Sequence, residues 1–355
     1  MSEKPVRIGI IGAGGIASAH LAAYRQVPGV QIRAVCDVVA GKAEEFIRRH
    51  AVEEAEAFTD HRRLLAEDSI EAVSVCTPHQ FHHRPTVDAL LAGKHVMCEK
   101  PMAASLAQAM EMVEAAERAG RILTIGFQSR YDANVDLARR VVVSGQLGAI
   151  YYVETGGGRR RGIPGGSFVK RDTAGGGALL DIGCYSLDTV LHMLGHPRAL
   201  RVAGMTAAPF AGRPPYRERG IEVEDFAAAW VRLETGATLL FKIAWAMHAD
   251  SLGTSLLLGD EGGLRIEAPG GLGDAGVRRL ELFHDMGGMP VHTELPLARS
   301  DEPRPFLRKI GHFIAAVRSH GQAPIPGHQV LRSMAIIDAI YRSAQSGREE
   351  VVATV

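Results

Sequence analysis

Three places in the chain bring together residue types that can do chemistry. Glu99-Lys100-Pro101 directly follows the apolar run 95–98, so a carboxylate and an amine stand where a strand ends and a proline forbids its continuation. If the strand simply reaches the surface, the charges are solvated. If it belongs to a parallel sheet, they lie at its carboxyl edge, where open α/β folds bind ligands. Asp181 and Tyr185 are four apart on a helical pattern that follows Gly175-Gly176-Gly177, which puts both on one face. The third place is Gly9-Ile10-Ile11-Gly12-Ala13-Gly14-Gly15-Ile16-Ala17, which holds G-x-G-x-x-A between an apolar run and a helical pattern.

The glycine segment has the requirements of a dinucleotide site. Gly12 permits a tight turn, Gly14 lets the backbone approach a pyrophosphate, and the small Ala17 lets the helix pack closely on the strand. The helix start at Gly15 and Ile16 offers unpaired N–H groups and a favourable dipole. Asp37 ends the second apolar run, twenty residues beyond Ala17. There it can accept hydrogen bonds from both adenosine ribose hydroxyls and repel a 2′-phosphate, which favours NAD. The plainer reading of Asp37 is a helix cap. Lys42 can reach the same place, so NADP stays open as cofactor.

Elements must position these groups. The first third alternates strand candidates (6–11, 30–36, 71–76, 95–98 and 121–126) with helical patterns (16–26, 40–50, 82–91 and 105–119). That order predicts a doubly wound parallel sheet, with Gly29, Gly93 and Gly120 ending helical stretches. After Phe127 longer alternating runs appear (150–155, 225–233, 237–246 and 278–283), separated by turns such as Glu261-Gly262-Gly263 and Pro269-Gly270-Gly271. They predict a largely antiparallel sheet with one buried face. Helical patterns at 305–319 and 329–344 close the chain. The predicted division is 1–127 for the dinucleotide-binding domain and 128–355 for substrate binding and oligomerisation. The open sheet face predicts a homodimer or homotetramer.

Composition narrows the partners. A chain of 355 residues exceeds the size at which one core stops growing. Lys plus Arg equals Asp plus Glu at 40 each, so no overall field recruits nucleic acid or a membrane. No stretch is apolar enough for long enough to span a bilayer. The amino terminus lacks the pattern of a secretion signal. Cys36, Cys76, Cys98 and Cys184 have no metal-like spacing, and they read as reduced thiols of a cytoplasmic protein. His192 and His196 are four apart but have no third ligand at suitable spacing, so no metal is predicted.

Several spaced motifs together resemble the Gfo/Idh/MocA family: Glu99-Lys100-Pro101 preceded by Ala92-Gly93-Lys94-His95-Val96, the glycine segment, and Cys76-Thr77-Pro78-His79-Gln80-Phe81-His82. Gly126-Phe127-Gln128-Ser129-Arg130-Tyr131, the segment 175–183 and Tyr341-Arg342-Ser343-Ala344 extend the likeness nearly end to end. The resemblance implies an α/β protein with a Rossmann domain and an open-faced α/β substrate domain. It also implies an NAD(P)-dependent oxidoreductase of sugars, cyclitols or related polyols, with Lys100 in the active site. A carbinol that loses a hydride to nicotinamide must also lose its hydroxyl proton, and a lysine beside the positive ring should have a lowered pKa that suits it to take that proton.

Many members carry histidine where this chain has Tyr185; the sequence is similar to the tyrosine variant of the glucose-fructose oxidoreductase and dihydrodiol dehydrogenase branches. Lys100 and Tyr185 are expected to act as a coupled proton-exchanging pair, with Asp181 accepting hydrogen bonds from substrate hydroxyls. Glu99 is expected to position Lys100 or touch the cofactor, and Thr77, Pro78 and His82 to line the nicotinamide site. Arg159-Arg160-Arg161 and Lys170-Arg171 read as substrate-anion contacts or, preferably, as a solvated face. Arg130 reads as a hinge ion pair or a substrate contact. The alternatives are an NADP-preferring sugar reductase, a dihydrodiol-type dehydrogenase, or a catalytically inactive NAD-sensing regulator. Lys100, Asp181 and Tyr185 together weigh against the regulator.

Overall fold

The computed structural model describes residues 4–268, 270–272, 276–298 and 304–355. The chain forms two compact units, one of Met1–Gly126 with Pro303–Val330, the other of Phe127–Glu302 with Leu331–Val355. The composition change after Phe127 predicts a single boundary. In the structure Pro303–Val330 also groups with the first unit.

In chain order the first unit contains β1 (Val6–Ile11), α1 (Gly15–Tyr24), β2 (Val30–Cys36), α2 (Lys42–Arg49), β3 (Glu56–Phe58), α3 (His61–Leu65), β4 (Ala72–Val75), α4 (His83–Leu91), β5 (His95–Cys98), α5 (Leu106–Ala119) and β6 (Leu123–Ile125). The described strands form one sheet in the order β3-β2-β1-β4-β5-β6, and every pairing is parallel. This is the doubly wound Rossmann order, whose direction reverses between β1 and β4. Both β4 and β5 are buried at every residue, as a sheet covered on two faces requires. α5 begins at Ser105, whose hydroxyl accepts from Gln108 N at 3.3 Å, and ends at Gly120 in the left-handed conformation.

The second unit contains α6 (Ala133–Val143), β7 (Ile150–Gly158), α7 (Arg171–Ala174), α8 (Cys184–Met193), β8 (Ala199–Ala207), β9 (Phe226–Leu233), β10 (Thr238–Ala244), β11 (Ser255–Gly259), β12 (Gly262–Glu267), β13 (Arg279–Met286) and β14 (Met289–Glu294). α9 (Pro305–Ser319) follows in the first unit, then α10 (Gly327–Ser346), within which the division falls, and finally β15 (Glu350–Val351). The described strands order as β14-β13-β12-β11-β7-β10-β9-β8-β15. Only β7 with β10 is parallel among the described pairings.

One face of this sheet is buried. Val231, Leu239, Phe241 and Leu257 lie on it, and α8 packs against β7. The opposite face leaves Trp230, Met205 and Leu240 wholly or partly uncovered, with Leu240 and Trp230 paired across β10 and β9. Two glycine segments depart from the sequence reading. Gly262 and Gly263 start β12 rather than forming a turn, and β7 continues past Thr155 through Gly156–Gly158. There a Cβ on Gly156 would stand 1.7 Å from Lys242 O, so the glycines allow close backbone approach rather than ending the strand.

α9 packs on α1 and β1 because Ile310, Phe313, Ile314 and Val317 form one apolar stripe that joins the core of the first unit. Among the described residues no helix is long and apolar enough to cross a membrane.

Candidate active site

The carboxyl ends of β1, β4 and β5 are adjacent, because these strands pair β1 with β4 and β4 with β5. They deliver the glycine turn, Thr77-Pro78 and Glu99-Lys100-Pro101 to one edge of the first unit. Gly12 has φ +97°, and a Cβ there would be 2.6 Å from Cys76 O; only glycine suits both demands. A Cβ on Gly14 or Gly15 would meet nothing within 4 Å, so the turn is open above. α1 starts at Gly15 with no side chain capping its amides. Ala17 is fully buried under it, while Ile16 is exposed. These are the features a diphosphate needs: an open cradle, free helix-terminal amides and a small residue that lets the helix sit close.

Asp37 stands beside that turn. Its Oδ2 accepts from Ala13 N at 2.9 Å and its Oδ1 from Val39 N at 3.1 Å, and Lys42 Nζ is 2.9 Å from Oδ2. Burial alone would raise its pKa; Lys42 and the two amides outweigh burial and hold it below the ordinary value. The carboxylate is therefore charged, oriented and joined to the glycine turn.

Glu99 is buried. Its Oε1 lies 2.8 Å from His20 Nε2 and 2.6 Å from Lys309 Nζ, while Oε2 accepts from Lys100 N at 3.3 Å. Glu99 thus contacts Lys100 through the backbone amide of that residue. Lys100 itself is half-buried in the turn.

Thr77 Oγ1 donates to Phe81 O at 2.9 Å, and Pro78 is exposed. His82 is given a different task from the expected cofactor contact. It is 1% exposed, with Nδ1 at 2.7 Å from Pro101 O and Nε2 at 2.9 Å from Thr77 O. Both ring nitrogens face backbone carbonyls, so His82 ties the turn after β4 to the turn after β5.

In the second unit, Asp181 lies in a π-helical turn, Leu179–Gly183, that runs straight into α8. Such turns re-aim side chains. Glu224 builds it: Oε1 accepts from Gly177 N at 2.9 Å, Leu179 N at 3.1 Å and Tyr341 Oη at 2.9 Å. The triple glycine follows from this crowding, since a Cβ on Gly177 would sit 1.8 Å from Glu224 O and one on Gly176 2.2 Å from Tyr341 Oη. Trp245, fully buried, donates from Nε1 to Asp181 Oδ2 at 3.1 Å. Gln128 Nε2 donates to Tyr185 Oη at 2.6 Å, and Phe127 meets the Tyr185 ring edge-on at 5.7 Å.

The structure thus groups Gly12, Gly14, Gly15, Ile16, Ala17, Asp37, Thr77, Pro78, Glu99 and Lys100 in the first unit, and Asp181 with Tyr185 in the second. Gln128, Trp245, His20 and Lys309 are polar partners that the sequence did not assign. Gln128 lies inside a quoted motif, and Trp245 is one of two tryptophans in the chain; neither fact points to a bond.

Arg130 makes a buried two-bond pair with Asp188, at 2.8 and 2.7 Å, inside the second unit. Arg161 donates to Met247 O at 2.7 Å and lies over the Phe210 ring, while Arg160 pairs with exposed Asp250. Lys170 and Arg171 both bond Glu222. His192 and His196 stand 3.4 Å apart, and among the described residues no group of three or more His, Cys, Asp or Glu side chains could hold a metal.

Residues 6–127 match the model of an oxidoreductase family with an NAD-binding Rossmann fold, Gfo/Idh/MocA, and residues 135–265 match the Gfo/Idh/MocA C-terminal domain. The chain belongs to the Gfo/Idh/MocA family. It is similar to D-glucoside 3-dehydrogenase of Escherichia coli K12, with 29% identity covering 98% of this chain and 97% of that one. Inositol 2-dehydrogenase of Salmonella typhimurium LT2 shares 36% identity over 40% of this chain and 43% of its own length. Among solved structures, aldose-aldose oxidoreductase from Caulobacter crescentus, complexed with glycerol, has 26% identity and a TM-score of 0.81, covering 98% of this chain and all of that one. As a Gfo/Idh/MocA protein the chain is an NAD(P)-binding oxidoreductase, a dehydrogenase of CH–OH groups.

Proposed function

We propose that this Gfo/Idh/MocA protein is an NAD-preferring dehydrogenase that exchanges a hydride with a ring carbinol of a glucoside or a closely related sugar or cyclitol. The observation that carries the reading is the shared carboxyl edge of β1, β4 and β5, which holds the open glycine turn and Lys100 together. The end-to-end likeness to a D-glucoside 3-dehydrogenase directs the substrate choice toward a glucoside.

Bound nicotinamide supplies the hydride acceptor or donor. The chain's residues supply the rest. Lys100 and Tyr185 exchange the hydroxyl proton, and Gln128 steadies the phenolic oxygen. Asp181, its carboxylate oriented by Trp245, accepts from substrate hydroxyls. The Asp37 carboxylate favours NAD, while Lys42 beside it favours tolerance of NADP as a second reading. The uncovered sheet face with Trp230 and Met205 supports a homodimer or homotetramer through the second unit, which light scattering decides.

The test follows reduced-cofactor absorbance with NAD and NADP in parallel over methyl glucosides, free aldoses and myo-inositol. Turnover is expected with NAD on at least one pyranoside. Lys100→Ala should lower kcat by about 10²–10⁴-fold while leaving NAD affinity nearly unchanged. Binding of NAD without turnover of any sugar or cyclitol would refute the enzyme and favour the sensor.

A further inference from the structure

Lys309 is a fully buried lysine that reaches the first unit from the far end of the chain, 210 residues beyond Glu99. Its ammonium lies 2.6 Å from Glu99 Oε1 and 3.8 Å from the centre of the Phe306 ring. His20, also fully buried, brings Nε2 to the same oxygen at 2.8 Å, and its Nδ1 lies 3.0 Å from Ser74 Oγ, which Tyr24 Oη approaches at 2.7 Å. The far oxygen of Glu99 holds the backbone amide of Lys100. A Cβ on Gly126 would stand 2.7 Å from Glu99 Oε1, so the carboxylate is closed in on that side.

Such a cluster is not explained by stability. An apolar replacement of a buried ion pair is often neutral or better, because desolvating two charges offsets their attraction. Nor does Glu99 face solvent, where it could meet substrate. What the cluster does geometrically is join three elements. His20 sits on α1, whose amino terminus follows the glycine turn; Lys309 sits on α9, which packs on α1; Glu99 directly follows β5 and leads into Lys100.

We propose that Lys309 and His20 are positioning residues for the reaction: they fix the Glu99 carboxylate, and that carboxylate holds the turn presenting Lys100 in register with α1. The inference rests on Lys100 acting in proton exchange. The Lys309 ammonium and the His20 ring meet at the same carboxylate oxygen, so the ammonium offsets the negative charge that the ring faces. Burial lowers the His20 pKa and Lys309 lowers it further, against the pull of Glu99; burial alone would raise Glu99, but Lys309 and His20 hold it well below the carboxylate range. Of the other titratable groups in this field, burial raises Tyr24, Cys76 and Cys98 and keeps them uncharged, and His82 also senses the Glu99 charge.

Lys309→Met removes the charge and keeps the bulk. His20 should then take up the missing proton. In the apo protein, the imidazole resonance that disappears in His20→Asn should titrate at a clearly higher pH in Lys309→Met than in the native chain. Competitive acylation of the apo protein, read by mass spectrometry, should show Lys100 reactivity changed about threefold or more in Lys309→Met and restored in Lys309→Arg. With NAD and methyl β-D-glucoside, Lys309→Met should lose about 10–100-fold in kcat above the new midpoint and recover below it, with KM for NAD moving far less. If Lys309→Met does not fold, His20→Gln is read by acylation and by the same kcat-against-KM split. An unchanged His20 resonance, unchanged Lys100 reactivity in a folded variant, or losses equal at every pH would overturn the proposal. The two apo measurements need no substrate, so failure of every sugar would refute the proposed activity while these readouts still judge the cluster.

Discussion

Asp37→Asn separates charge from shape at the cofactor site. Both Asp37 oxygens accept from backbone amides, and Lys42 lies against one of them. Its lowered pKa keeps it ionised at neutral pH. A 2′-phosphate brought to contact distance would meet a like charge, and two unit charges about 4 Å apart interact by about 4 kcal/mol at an effective dielectric constant of about 20. Salt screening at a partly open edge and the opposing charge of Lys42 reduce the net penalty to roughly 1–2 kcal/mol, a factor of about 5–30.

Asparagine keeps one acceptor oxygen and loses the charge, so the variant should fold at a cost of about 0.5–1.5 kcal/mol for the lost amide bond. Dissociation constants for NAD and NADP, measured by titration calorimetry at low and high salt, give the ratio directly. The NADP-to-NAD ratio should fall by about 5–30-fold in Asp37→Asn, and by less at high salt. An unchanged ratio with intact NAD binding would mean that Asp37 only shapes the turn with Val39 and Ala13 and never meets the ribose.

Trp245→Phe keeps a ring in the core but removes the donor to Asp181; kcat/KM for the sugar should fall about tenfold with NAD affinity unchanged, and a variant with native kcat/KM would show that the bond does not orient the carboxylate. Stability should depend on pH through two histidines, His95, which is buried, and His192, which is half-buried. His95 is pushed down to about 4 by burial, Arg121 and His320, and His192 to about 3 by burial, Arg130 and Arg139. The unfolded chain binds protons at these sites below about pH 6.5 while the native chain does not, so their stabilisation is present above that pH and is lost as pH falls toward 4. Urea midpoints at pH 7.5 and 5 should therefore differ, and His192→Phe should narrow the difference; an equal difference in that variant would remove His192 from the account.

What the sequence made legible was local. Strands 6–11, 30–36 and 95–98 appear with those bounds, and the helical pattern 305–319 is α9. The glycine turn was legible because its function is a backbone property of adjacent residues. β3 and α3 were missed because three and five residues hold too little periodicity to stand out. β14 was missed because its residues are exposed on both faces and show no alternation. The role of Tyr341 was hidden for another reason: it acts on Gly176 and Glu224, and nothing around residue 341 records a crowding that occurs elsewhere in the chain.

The same limit explains the domain boundary. The apolar stripe of α9, Ile310, Phe313, Ile314 and Val317, has the spacing of any half-buried helix and does not say which sheet it covers. Nothing in the sequence singles out Lys309 next to it, and only its pairing with Glu99 shows why it can be desolvated. The returning segment also covers the edge of the parallel sheet: Ile325 N donates to Thr124 Oγ1 at 3.0 Å, and its carbonyl accepts from Ile125 N at 3.2 Å on β6. An uncovered edge invites pairing with other chains. A dinucleotide unit cut at residue 127 would therefore lose three things at once: the apolar partner of α1, the cover of β6 and the counter-charge of Glu99. Its glycine turn and Lys100 would still be present, but Lys309 would no longer hold in place the carboxylate that fixes Lys100.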